Sequence, residues 1–273
     1  MDDAQNLLEL GGAPKADTIT VERALGMHFA RKQFLWETAT VNKYKRARSH
    51  LPATFEALTL DQVTPKVYRR AIESIESKHY RRDASQLLSG AFRLAIENEL
   101  MTVNPCSVVS VPQPQSPEVN PPDPEQVKKI IAAAAEEVRT FLHFIAVTGV
   151  RKQEACALRW SDLRGNQLTV RSAVKADGKV RSVKQGRKGE RTFALDVDTV
   201  AKLDKLPKAG PFMFGGEAPV KLATAAQWME RASRRAGFTQ PVKDSETKVR
   251  GAFGLHDLRH FFASQLLASG RDV

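Results

Sequence analysis

A mainly α-helical chain with a small antiparallel β-sheet, arranged as two domains, is the fold class this sequence predicts. Three observations predict it. Apolar residues recur at helical spacing through residues 20–100. Short runs rich in β-branched or alternating residues, punctuated by turn residues, lie between 167 and 195. Between the two, residues 111–126 read VPQPQSPEVNPPDPEQ, with six prolines from Pro112 to Pro124. Such a stretch continues neither a helix nor a central strand and favours extended chain. The expected division is a helical domain over 1–110, a proline-rich linker over 111–123 and a second domain over 124–273.

In the first domain the spacing predicts helices over Thr20–Arg31, Thr38–His50, Thr64–Ile75 and Arg82–Leu100. In the last of these, Leu87, Leu88, Ala91, Leu94 and Ala95 form one apolar face. Thr18, Thr20 and Thr64 are candidate N-caps, the last followed by Pro65 at the first helical position. In the second domain, helices are expected over Pro124–Ala135 and Glu137–Val147, the latter running on through Thr148-Gly149 into Arg151–Leu158. Strands follow over Gln167–Arg171, Val180–Lys184 and Arg191–Leu195, with Asp177-Gly178 and Gly186/Gly189 as turns. Val220–Ala236 and Leu255–Ser269 return to helix, and Gly270 is the C-terminal cap.

Composition narrows the function classes. Hydrophobic content of 42% with 27% charged residues is that of a folded soluble chain. The formal net charge is +11, and residues 115–273 alone hold 27 basic against 18 acidic side chains. That excess calls for a polyanionic partner, nucleic acid first and an anionic membrane second. No apolar run approaches the ~20 residues of a membrane span, and the Met-Asp-Asp start is unlike a signal peptide. Cys106 and Cys156 lack metal-ligand spacing, so a reduced, cytoplasmic setting with both thiols inert is expected.

Three segments carry chemistry. In Thr148–Leu163, TGVRKQEACALRWSDL, Arg151 opens a segment anchored by Ala155, Leu158 and Trp160. Its guanidinium stands at a helix start, which favours an anion, though an ion pair with Glu154 is the simpler reading. In Gly254–Ser264, GLHDLRHFFAS, His256 and Arg259 are three apart and share a helix face, with His260 four from His256. Leu255, Leu258, Phe261 and Phe262 supply its buried side. The paired histidines invite a zinc reading, but Arg259 repels a cation and no third ligand is apparent, so no metal is expected. Third, Arg171–Arg191 is a basic hairpin with Lys175, Lys179, Arg181, Lys184, Arg187 and Lys188. Further basic clusters, at Lys43, Lys45, Arg46 and Arg48 and at Arg69, Arg70, Arg81 and Arg82, read either as solvated faces or as phosphate contacts.

An arginine in TGVR, a lysine on a β-hairpin and then LHDLRH, in this order after a proline-rich linker, resembles the tyrosine recombinase (phage integrase) family. The resemblance spans essentially the whole chain. It implies a helical, SAM-like core-site DNA-binding domain over 1–110 and an α+β catalytic domain over 124–273, truncated at its C-terminal end. The implied activity is site-specific recombination: strand cleavage and exchange on duplex core or attachment sites through a 3′-phosphotyrosine intermediate, as in viral genome integration. It implies Arg151, Lys184, His256 and Arg259 as catalytic residues, with His260 in support and Lys188 as the alternative lysine. It implies DNA contacts from Lys43, Lys45, Arg46, Arg69, Arg70, Arg81, Arg82 and Arg187, no cofactor, and other subunits in a tetrameric synapse. The nucleophile is expected to be absent: Tyr44, Tyr68 and Tyr80 are the chain's tyrosines, all in the first domain. On that reading these 273 residues are inactive for cleavage, and the alternative is a recombinase-derived DNA-binding protein.

Overall fold

A computed structural model describes residues 19–114, 120–183, 189–242, 245 and 247–270. The chain divides into two compact units, Met1–Pro117 and Glu118–Val273.

The N-terminal unit is built from α1 (Val21–Lys32), α2 (Thr38–Arg48), the short α3 (Ala53–Glu56), a 3₁₀ turn (Leu60–Gln62), α4 (Pro65–Glu73), α5 (Lys78–Glu97) and the short α6 (Pro105–Val108). Helix starts fall where the sequence puts oxygen acceptors. Thr20 accepts from the Arg23 amide and Thr64 from the Val67 amide, with Pro65 at the first position. α5 begins four residues before the expected start because Ser77 caps it, accepting from the Tyr80 amide. Its Leu87, Leu88, Ala91 and Ala95 are almost wholly buried and pack with Leu25, Tyr68, Ile72 and Phe92 in one core. Each buried leucine, isoleucine or phenylalanine among them contributes about 1.5–3 kcal/mol relative to exposure.

The C-terminal unit runs α7 (Pro124–Ala133), α8 (Glu136–Thr148), the four-residue α9 (Lys152–Ala155), a 3₁₀ turn (Trp160–Asp162) and strands β1 (Leu163–Arg164) to β5. β2 (Gln167–Val170), β3 (Ser172–Val174), β4 (Val180–Ser182) and β5 (Arg191–Ala194) lead to α10 (Val197–Asp204) and α11 (Leu222–Arg235). A hairpin of β6 (Thr239–Pro241) and β7 (Val249–Gly251) then precedes α12 (Leu255–Ala268). Phe141, Leu142, Phe144 and Ile145 of α8 fill the core beside Ile130, Leu168, Met229 and Leu258. Gly270, with φ +74°, follows α12 in the left-handed conformation that ends helices.

Three expectations need correction. The expected run from α8 into Arg151–Leu158 is broken: Gly149 turns left-handed at φ +60°, Arg151 is extended, and helix resumes only at Lys152–Ala155. The sheet also differs. β2 pairs directly with β5 in a three-stranded sheet ordered β1-β2-β5, whereas β4 pairs with β3 in a separate hairpin. Arg171 marks the break between β2 and β3. Its carbonyl accepts from the Val183 amide, and its guanidinium reaches the buried Asp162 carboxylate at 3.0 Å, so strand direction changes there. Finally, Phe261 and Phe262 are only half-buried; Leu255 and Leu258 alone give α12 its fully buried side.

Candidate phosphate-binding site

The site is organised by one glycine. α8 ends at Thr148, whose hydroxyl turns back to the Phe144 carbonyl, and Gly149 donates its amide to Ile145 in a left-handed cap. A Cβ at Gly149 would lie 2.2 Å from the Phe262 ring, so the close approach of α12 demands glycine as firmly as the backbone angle does. The carbonyl of the buried Gly149 accepts a hydrogen bond from the Arg259 guanidinium. Two segments 110 residues apart thus meet at this turn.

Arg151 is the N-cap residue of α9 and stands exposed, its side chain 60% accessible. The Glu154 carboxylate beneath it is 5% accessible. One Glu154 oxygen accepts the Arg151 amide at 2.8 Å, and the other accepts from the Arg151 guanidinium at 3.2 Å. Arg191, arriving on β5, grips the same carboxylate with two nitrogens, at 2.6 and 3.1 Å. Burial pushes the Glu154 carboxyl up, but hydrogen bonds from Arg191 and then Arg151 outweigh it and hold the group below its ordinary value. Glu154 is therefore a buried anion shared by two arginines.

His256 and Arg259 rise from the first turns of α12. That helix is fixed at its start by Asp257, whose carboxylate accepts the Gly254 amide at 2.7 Å. His256 is exposed and packs edge-on to His260, ring centroids 4.3 Å apart. Burial lowers the His256 pKa, and the nearby His260, Arg259 and Arg151 lower it further. These influences favour the neutral imidazole, with a ring nitrogen available as acceptor or donor. Burial likewise lowers Arg259, followed by repulsion from Arg151, while Glu154 opposes. These mutual influences place Arg151, Arg259 and His256 within one electrostatic neighbourhood, with His260 against His256. Arginines in such an arrangement present forked donors suited to a tetrahedral oxyanion.

The lysine expected to complete this group, Lys184 or Lys188, lies outside the described residues, as does Arg187. On the same hairpin Arg181 pairs with Asp177 at 2.5 Å across the Gly178 turn, and Arg171 is held by Asp162.

The N-terminal basic residues divide into two kinds. Lys45, Arg46, Arg69 and Arg70 are exposed and enter no ion pair among the described residues. Lys43 is paired with Asp83 at 2.9 Å, and Arg48 is clamped by Glu56 at 2.6 Å and Glu22 at 3.3 Å. Arg81 donates to the Ile75 and Glu73 carbonyls, satisfying the end of α4, and Arg82 is half-buried. Residue type alone did not separate these roles.

Sequence reasoning missed two features. Arg191 was read as part of a basic run, although its place on a strand opposite Glu154 makes it a partner of the site. The exposed Arg231, Arg234 and Arg235 on α11, with Lys248 and Arg250 on and beside β7, form a second basic surface. The run WMERASRR carried that signal. The three tyrosines all lie in the N-terminal unit. Tyr68 is fully buried, its hydroxyl donating to Ser85 at 2.8 Å, and burial raises its pKa. Tyr80 stacks on His50, and Tyr44 packs against Trp36. Burial also pushes the Cys106 and Cys156 thiols up to about 12, in keeping with unreactive side chains.

Among the described residues, no helix is long and apolar enough to cross a membrane. Residues 123–273 match the model of the phage integrase family. The ICEBs1 integrase of Bacillus subtilis (strain 168) is 26% identical over 200 residues, covering 68% of this chain and 53% of that protein. The chain thus spans about half the length of the curated relative it matches. Two solved structures share the fold. The Tn1549 transposon integrase in complex with transposon right end DNA superimposes with a TM-score of 0.74 at 16% identity, over 93% of this chain and 88% of that one. A lambda integrase tetramer bound to a Holliday junction gives 0.71 at 18% identity, over 98% and 82%.

Proposed function

Because the chain belongs to the phage integrase family of tyrosine recombinases, we propose that its C-terminal unit holds a DNA phosphodiester in the cluster of Arg151, Arg259 and His256. The observation that carries this reading is the convergence of elements far apart in sequence, where Arg259 of α12, one turn from His256, reaches the Gly149 carbonyl two residues before Arg151. In the cleavage step, Arg151 and Arg259 neutralise the non-bridging oxygens, where charge develops in the transition state. His256 hydrogen-bonds the same phosphate or carries a proton, and His260 braces it. A hairpin lysine, Lys184 or else Lys188, protonates the leaving 5′-oxygen. Bond energy is conserved in a 3′-phosphotyrosine link, so the strand exchange needs neither cofactor nor metal.

The partners we infer are double-stranded core or attachment sites and further recombinase subunits in a tetrameric synapse, within the cytoplasm and in the service of DNA, including viral genome, integration. The helical residues 1–110 serve as the core-site-binding domain, joined by the linker 111–123 to the catalytic domain over 124–273. Lys45, Arg46, Arg69 and Arg70 are its best phosphate contacts, since among the described residues no carboxylate holds them. The nucleophile does not come from Tyr44, Tyr68 or Tyr80, given their packing in the N-terminal unit. These 273 residues acting alone therefore bind DNA without cutting it. The same observation favours the second reading, a recombinase-derived DNA-binding protein.

A nicked suicide duplex carrying the attachment site tests the proposal. We expect salt-sensitive binding, no covalent adduct, and loss of protection at the central phosphate in Arg151→Ala and Arg259→Ala. A covalent adduct would overturn the assignment of the nucleophile; unaltered protection in both variants would overturn the phosphate site.

A further inference from the structure

Arg191 is not one of the residues that face the proposed phosphate, yet it makes the closest ion pair with Glu154. Its two terminal nitrogens meet both oxygens of Glu154, at 3.1 and 2.6 Å. Arg151, much nearer in sequence, reaches that carboxylate with one guanidinium nitrogen only, at 3.2 Å, and keeps its side chain 60% accessible. A buried carboxylate beside an exposed arginine ordinarily captures it in a forked pair, because the uncompensated buried charge is costly. Here the fork is already occupied.

We propose that Arg191 is a positioning residue, which saturates the buried Glu154 carboxylate and so leaves the Arg151 guanidinium free for an incoming phosphate. The charges close in its favour. Arg151, Arg191 and Arg259 against Glu154 leave the cluster at +2, whereas without Arg191 the cluster falls to +1 and Glu154 competes directly with the phosphate for Arg151. The charged side chains acting on Glu154 are Arg191 from β5 and Arg151 from its own helix, and Glu154 acts in turn on Arg259 from α12. β3, which also packs on α9, brings Ser172, Ala173 and Val174, none of which titrates. Arg191 thereby turns a local ion pair into an open anion site.

This inference rests on the proposed phosphate site, and the experiment separates the two. Tungstate, a tetrahedral oxyanion, is titrated calorimetrically into the whole chain at fixed ionic strength, with thermal melting as the check on folding. Wild type should show a saturable site that Arg151→Ala and Arg259→Ala each weaken by roughly ten-fold or more. If neither does, the phosphate site itself is wrong and the role of Arg191 falls with it. Given that site, Arg191→Met should weaken tungstate about ten-fold and Arg191→Lys should restore most of the loss. Glu154→Gln, which removes the competitor and keeps an oxygen for the Arg151 amide, should bind more tightly than wild type. A purely structural pair predicts the reverse for Glu154→Gln, because breaking it would loosen the site. Wild-type affinity in an Arg191→Met that is folded at the titration temperature, or affinity at or below wild type in Glu154→Gln, overturns the proposal. Should Arg191→Met fail to fold, Glu154→Gln and Arg191→Lys decide it.

Discussion

Arg48 in the N-terminal unit and Glu154 in the C-terminal unit are each the centre of a three-membered ion cluster, and the clusters have opposite composition. Arg48 is one cation between two carboxylates, Glu22 and Glu56; Glu154 is one carboxylate between two cations, Arg151 and Arg191. In the first the guanidinium is the shared member, with hydrogen bonding to Glu56 as the first reason its pKa is raised. In the second the anion is enclosed and a cation is left outward. The sign of the member left over, not the number of basic residues, separates a scaffold from an anion site.

The largest effect expected from breaking this contrast is on stability. Arg191→Met leaves the buried Glu154 charge without its best partner and should cost about 3–5 kcal/mol, read by denaturant unfolding. Arg48→Met leaves Glu56, which is 15% accessible against 5% for Glu154, and should cost a smaller ~1–2 kcal/mol. Equal losses would mean that burial does not distinguish the clusters. A pH series sharpens the point. Glu154 has a folded pKa below its ordinary 4.5. Its contribution is therefore full above that value and lost as pH falls through the folded pKa. In Arg191→Lys, with a poorer fork on the carboxylate, the folded pKa is less depressed, so that acid loss should be smaller and complete at higher pH. The smallest effect belongs to the unpaired cations: Lys45→Ala and Arg46→Ala should each reduce the salt dependence of DNA binding by about one unit of slope, without altering melting. A matching reduction in Lys43→Ala, whose ammonium is already paired with Asp83, would show that such pairs open on DNA.

Much of this was legible in the sequence because it depended on local rules. The caps Thr20 and Thr64, the apolar face of α5 and the Gly270 stop are fixed by neighbours within a turn or two. So was the pairing of Arg151 with Glu154 three residues on. The remainder depended on long-range register. β3, β6 and β7 are three residues each, too short for alternation to show, and exist because partner strands align them. Arg191 meets Glu154 through the β2–β5 register and the packing of α9, so its role was invisible beside the lysines and arginines of its run. The same holds for Arg81, which its sequence neighbours mark as a surface cation and its fold commits to backbone carbonyls.

The contact between Arg259 and the Gly149 carbonyl has a consequence for how the protein is made. α8 can form its helix and α12 its own from local interactions, but the proposed anion-binding face exists only after the 110 residues between them have been folded back into register. Closing so long a loop carries a large entropic cost before its contacts repay it. If the proposed site holds, phosphate recognition is among the last properties the nascent chain acquires. A partly folded molecule, however basic, holds DNA only as a diffuse polycation.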